Sequence, residues 1–173
     1  MTSDPLRHLL DAAVEGDNVA VAELVRRTQA DLWQLCRALG SPGEEEDLVQ
    51  ETYVRALGSI RSYRGDAPVR AWLMSIARNV CADHVRRRVR QRRLLQRLSP
   101  IPSDLVSVQS TGIDDTLDQL DVDRREAFVL TQMLGLSYEE AAATLGCPIG
   151  TVRSRVARAR AQLLSSVQQS DAR

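Results

Sequence analysis

The sequence predicts an all-α chain built as two small helical domains joined by a flexible linker. Apolar residues recur at helical spacing through most of the chain, and the Gly and Pro residues fall mainly between those runs. Of the 173 residues 43% are hydrophobic, yet only two Trp, three Tyr and one Phe are present, so Leu, Val and Ala must fill the core, as in small helical bundles.

The first helix starts at Asp4-Pro5, with Asp4 as N-cap and Pro5 in the first turn, and carries Leu6, Leu9, Leu10, Ala13 and Val14 to Gly16. A second begins near Asp17, aligns Leu24, Val25, Thr28, Leu32, Leu35, Cys36 and Leu39 on one face, and stops at Gly40 and Pro42-Gly43. The third runs from about Glu44 to Leu57, with Leu48, Val49, Thr52, Ala56 and Leu57 as its apolar stripe and acids in its first turn, where the helix dipole favours them. After a loop over Ser59–Ala67, Pro68 opens a fourth helix with Val69, Trp72, Leu73, Ile76, Ala77 and Val80 inward. These helices define a first domain over 1–97. Ser99-Pro-Ile-Pro-Ser103 breaks any helix, so 98–113 reads as a linker, followed by a second helical domain over 114–168 and a polar tail at 169–173 that frays.

Formal net charge is zero, but the charges are segregated. Arg70–Arg97 holds nine arginines against Asp83 alone, and Thr151–Leu163 holds four arginines and no acid. A polyanion responds to such patches rather than to the total. Every basic side chain is Arg, even in segments with no basic patch, which fits GC-rich codon usage better than selection for phosphate binding. Three scattered cysteines, Cys36, Cys81 and Cys147, suggest no disulfide framework and a reducing cytoplasm. Neither a signal peptide nor an apolar run long enough to span a membrane is seen. Cys81 and His84 at i and i+3 supply two ligands, too few for a zinc site, and no phosphate-binding Gly loop appears, so neither metal, cofactor nor catalytic residue is expected.

Ser137-Tyr-Glu-Glu140 fits a capping box that opens a short helix with Tyr138, Ala141, Ala142 and Leu145 inward. Gly146-Cys147-Pro148 makes a turn, and Ile149, Val152, Val156, Ala159 and Leu163 form the buried edge of the next helix. Helix, Gly-containing turn and helix is the helix-turn-helix layout. With Val152 and Val156 inward, Arg153, Ser154, Ala157 and Arg158 share an exposed strip suited to base edges in a major groove. Thr151, Arg155 and Arg160 sit beside it as phosphate contacts. A solvated basic helix explains the charges alone, but not their combination with cap, turn and strip.

Gly150-Thr-Val-Arg-Ser-Arg-Val-Ala-Arg-Ala-Arg160, with Arg125–Leu130 and Gly135–Ala142 before it, resembles region four of extracytoplasmic-function (ECF) RNA polymerase sigma factors of the sigma-70 family. Asp47-Leu-Val-Gln-Glu-Thr-Tyr-Val-Arg-Ala-Leu57 resembles their region 2.2, which docks on the clamp helices of the polymerase largest subunit. The resemblance implies Asp47, Gln50, Glu51 and Arg55 as polymerase-facing, all on one helix face, with a further contact to the polymerase flap. Tyr63-Arg-Gly-Asp66 and Ala71–Asp83 resemble regions 2.3 and 2.4, which melt and read the minus-10 element. Tyr63 then matches the aromatic associated with a flipped base, for which stacking supplies the chemistry. Asn79 and Asp83 match positions facing minus-10 DNA, with Arg64, Arg78 and Arg86 to Arg88 as neighbouring contacts. Trp72, by its spacing with Val69, Ile76 and Val80, belongs to the core.

The implied function is that of a cytoplasmic alternative sigma factor. It binds core polymerase and promoter DNA, reads minus-35 through Thr151, Arg153, Ser154, Arg155, Ala157 and Arg158, and is held in check by an anti-sigma protein. The linker acids Asp104, Asp114 and Asp115 then suit the polymerase channel. Two positions depart from the family: Asp121 stands where Pro is common, and Asp83 puts an acid beside DNA. The rival readings are a free-standing helix-turn-helix regulator, which has no use for the Asp47–Leu57 surface, and a nucleic-acid enzyme, for which no catalytic constellation is present.

Overall fold

A computed structural model describes residues 4–98 and 116–171, all of them helical or in short turns. The linker acids Asp104, Asp114 and Asp115 lie outside these residues. Helices α1 (Arg7–Val14), α2 (Asn18–Leu39), α3 (Glu45–Ser59) and α4 (Val69–Leu98) form the N-terminal unit, with a single 3₁₀ turn at Ile60–Ser62. Helices α5 (Val122–Phe128), α6 (Tyr138–Leu145) and α7 (Ile149–Asp171) form the C-terminal unit.

Local chemistry sets most of the boundaries. Asp17 caps α2 by accepting from the amides of Val19 and Ala20 at 2.8 and 3.2 Å. Gly40 ends it because the chain turns under α3, where a Cβ would lie 2.4 Å from Leu48 Cδ1. Asp121 caps α5 through the Arg124 amide at 3.0 Å, doing by side chain what Pro does by ring geometry. The capping box of α6 is complete: the Ser137 hydroxyl accepts from the Glu140 amide at 3.1 Å, and Glu140 accepts from the Ser137 amide at 2.8 Å. Gly146 closes α6 at φ +62°, in the left-handed region.

The helical stripes converge on one core. Leu10, Leu32, Leu35, Leu73 and Met74 are at most 1% exposed, and Leu130, Val152 and Val156 continue the same cluster into the C-terminal unit. Each such side chain stabilises the fold by about 1.5–3 kcal/mol. A second, smaller cluster joins Cys36 on α2, Leu48 on α3 and Val80 and Cys81 on α4. Contact with Cys81 and burial push the Cys36 thiol well above its ordinary range, and all three cysteines are free.

Several residues depart from the expected pattern. Leu57 and Ile149, read as inward, are 38% and 36% exposed, and Val54 is exposed at 61%. Thr144 is buried instead, because α6 lies on α4 and the Thr144 hydroxyl donates to Ala71 O at 3.3 Å. After α5 the chain takes one wide π turn over Val129–Met133, where Leu134 N donates to Val129 O at 3.0 Å. That turn accommodates two consecutive fully buried residues, Val129 and Leu130. Helix α7 continues to Asp171, into the stretch 169–173 read as a fraying tail, since extending an anchored helix costs far less than nucleating one.

The two units pack against each other along α4. Arg70 spans the junction, pairing with Asp31 at 2.7 Å and donating to Leu134 O at 2.6 Å. Arg78 and Glu126 meet at 2.7 Å, with Glu126 only 4% exposed in its side chain.

Candidate nucleic-acid interface

On α7, Val152, Val156 and Ala159 are at most 1% exposed, so their neighbours Arg153, Ser154, Ala157 and Arg158 all face outward. Val152 and Val156 belong to the shared core, which fixes the rotation of the helix about its axis. Arg153 lies over the Tyr138 ring, 5.8 Å from its centroid, a stacking contact that limits its rotamers. Ser154 donates to Thr151 O at 2.9 Å, which leaves its oxygen free to accept. Thr151 is half-buried at the helix start. Arg155 points the other way: it pairs with Asp123 on α5 and reaches Cys147 Sγ at 3.7 Å. Arg160 donates to Gln132.

In the N-terminal unit, Tyr63 sits half-buried against Trp72, ring centroids 5.1 Å apart, under the Arg7 guanidinium at 5.1 Å, and its hydroxyl donates to Ala67 O at 2.5 Å. Beside it opens a cavity of about 230 Å³ lined by Tyr63, Arg64, Asp66, Trp72 and Ser75, with Ala143 of α6 on its rim. Spacing alone gives no hint of that cavity, because its walls come from a loop, α4 and the C-terminal unit. Trp72 packs half-buried against the core, as its spacing requires. Arg64 and Asn79 are exposed, whereas Arg78 is committed to Glu126 in this arrangement.

Asp83 does not stand alone. Arg86 reaches it at 2.6 Å and Arg55 of α3 at 3.0 Å, and Arg55 also pairs with Glu51 at 2.8 Å. The Arg86 guanidinium first, then that of Arg55, holds the Asp83 carboxyl below its usual range. The acid beside the arginine run is therefore neutralised by two cations. On α3, Asp47, Gln50 and Glu51 are exposed along one strip, which Val54 extends with an apolar group. Arg55 lies at the edge of that strip, turned toward α4. Sequence reasoning missed Val54, for which a branched apolar residue three positions after Glu51, on the charged face rather than the apolar stripe, was the available signal.

Among the described residues there is no group of three or more His, Cys, Asp or Glu side chains that could hold a metal ion, and no helix is long and apolar enough to cross a membrane. Fold and site together define a two-unit helical transcription factor with a C-terminal helix-turn-helix. Residues 24–91 match the sigma-70 region 2 family model and residues 111–163 match sigma-70 region 4. The chain is 41% identical over 168 residues to a probable RNA polymerase sigma-C factor of Mycobacterium bovis, covering 92% of this chain and 90% of that one. It is 30% identical over 185 residues to the ECF RNA polymerase sigma-E factor of Escherichia coli, covering 92% and 93%. Among solved structures it resembles CnrH in complex with the cytosolic domain of CnrY, at TM-score 0.76 and 35% identity over 94% of this chain and 97% of that one. It also resembles the sigma factor RpoE in complex with the anti-sigma factor NepR from Bartonella quintana, at TM-score 0.73 and 31% identity over 86% and 96%. This chain belongs to the ECF sigma factors of the sigma-70 family: it binds core RNA polymerase and directs promoter-specific initiation of transcription.

Proposed function

We propose that the exposed strip of α7, Arg153, Ser154, Ala157 and Arg158, reads the minus-35 element, with Thr151 and Arg155 on the flanking phosphates. The observation that carries this reading is the fixed rotation of α7, whose buried Val152, Val156 and Ala159 leave the four side chains facing out together. Guanidinium pairs suit guanine edges, and the small Ala157 allows close approach. Arg155 serves phosphate only after leaving Asp123.

The minus-10 element is read by α4 and the loop before it. Tyr63 and the cavity beside it capture an unstacked base, while Arg64, Asn79 and Arg86 hold the strand and Asp83 orients Arg86. Arg78 joins them when the two units part and release it from Glu126. Asp47, Gln50, Glu51 and Arg55 dock on the polymerase clamp helices, joined by Val54, and the C-terminal unit meets the flap. The domain limits 1–97, 98–113 and 114–168 follow the same division of labour. No catalytic side chain or cofactor takes part, and the site of action is the cytoplasm. The complex of RpoE with the anti-sigma factor NepR supports the same kind of control here: a protein that covers the polymerase-binding surfaces.

Run-off transcription with core polymerase on a promoter library tests this assignment. Arg153→Ala or Arg158→Ala is expected to weaken minus-35 discrimination by about 1–3 kcal/mol for each bidentate guanidinium–guanine pair removed. Tyr63→Ala is expected to leave duplex binding intact and impair opening. An unchanged promoter ranking in both arginine variants rejects the minus-35 assignment.

A further inference from the structure

The face of α4 that carries Asn79 and Asp83 does not end with Arg86. At 100° per residue, Arg86, Arg90, Arg93 and Arg97 (i, i+4, i+7, i+11) fall within about 60° of arc, and Asn79 and Asp83 lie in line with them. The four guanidinia are spread over about 16 Å of helix. All four residues are exposed, and every residue from Gln91 to Arg97 is exposed as well, so nothing among the described residues packs over this part of the helix. No acid occurs between Val85 and Leu98, and the carboxylate met by this stripe is Asp83, at Arg86. Arg88 and Arg92 line the groove between α4 and the C-terminal unit, which Arg86 also borders, whereas Arg90, Arg93 and Arg97 are not part of its lining.

Like charges at i, i+3 and i+4 destabilise a helix, and this one receives no compensating burial. A row of exposed guanidinia, continuous with the minus-10 face, calls for an extended polyanion. Duplex DNA supplies one phosphate per about 3.4 Å along each strand. Tyr63 marks the end of α4 where the strands separate, so the opposite end runs toward DNA that is still paired.

We propose that Arg90, Arg93 and Arg97 form a sequence-independent clamp on the phosphates of the duplex immediately upstream of the minus-10 element. The inference rests on the assignment of α4 to minus-10 DNA and extends it by about three turns of helix into DNA that neither promoter element covers. The clamp adds affinity and salt dependence but no base preference.

The test uses the full chain reconstituted with core polymerase. Promoter affinity is measured as a function of KCl for the wild type and for Arg90→Gln/Arg93→Gln/Arg97→Gln, which keeps helix propensity and touches no buried residue. The slope of log K against log salt is expected to fall by about 2–3 when three phosphates are no longer neutralised, with promoter ranking unchanged. Methylphosphonate linkages in the upstream duplex are expected to lower the wild-type slope in the same way and leave that of the triple variant unaltered. An unchanged slope overturns the clamp, as does an altered promoter ranking, which makes the stripe base-reading. Loss of core association without DNA also overturns it, by making the stripe a polymerase surface, and so does weaker binding of an acidic anti-sigma segment with the slope intact. Wild-type holoenzyme that selects no promoter refutes the minus-10 assignment itself, whereas selection with an unchanged slope refutes only the clamp.

Discussion

Single side chains in this protein serve partners far apart in the sequence. Asp4 is the expected cap of the first helix, and its Oδ1 does accept from the Leu6 amide at 3.0 Å. Its Oδ2 also accepts from the Val69 amide at 2.7 Å, capping α4 across 65 positions of chain. Asp4→Ala is therefore expected to cost about 1–2 kcal/mol and to lower the thermal midpoint by several degrees. A midpoint within a degree of wild type would show that the α4 cap is dispensable. Asp83 illustrates the same economy: the family resemblance marks it as DNA-facing, and only its contacts with Arg55 and Arg86 explain how an acid is tolerated there. Because its pKa is lowered, the stability it adds is present at neutral pH and is lost only as the pH falls into the acid range.

At the scale of the element, local signals set the ends of helices and buried contacts set their rotation. The α6 capping box lies before the turn that aims α7, so Ser137→Ala is expected to lose about 1 kcal/mol of stability. Minus-35 binding should weaken less than in Arg153→Ala, as separate melting and band-shift measurements would show. Helix α4 obeys two regimes along its length. Its first half is held by Val69, Leu73, Met74, Ala77 and Val80 in the core, and its second half is exposed and cationic. Periodicity identifies the first half. The second half is legible as a charge run, but its arginines acquire a common direction only once the core fixes the phase of the helix.

Across the whole molecule, the Arg78–Glu126 pair joins the two units beside the shared core, the Arg70 bridge to Leu134 and the Thr144–Ala71 hydrogen bond. Burial pushes the Glu126 carboxyl up, and the Arg78 guanidinium only partly offsets that. With the folded pKa raised, the contribution of Glu126 is fully present below its ordinary pKa and fades as pH rises through the raised value. The packed arrangement is accordingly expected to tighten on mild acidification, seen as a smaller radius in solution scattering. Arg78→Ala leaves a nearly buried carboxylate without its cation, a defect that costs about 3–5 kcal/mol when it cannot relax. Here it relaxes by parting the units, so a larger radius with each unit still folded is the expected result. Unaltered scattering would show that the junction does not depend on this pair.

The sequence by itself determined the all-α class, a helix start near Asp17, the capping box at Ser137, the turn at Gly146, and the outward strip of Arg153, Ser154, Ala157 and Arg158. All of these follow from chemistry within a few residues or from the 3.6-residue period. Only the tertiary structure decided that Thr144 is buried against Ala71, that Arg78 and Arg155 are held by Glu126 and Asp123, and that Val54 and Leu57 are left exposed. Those outcomes depend on which helix face meets which neighbour across tens of residues. A periodic pattern shows that a face is apolar or charged, but not what stands opposite it.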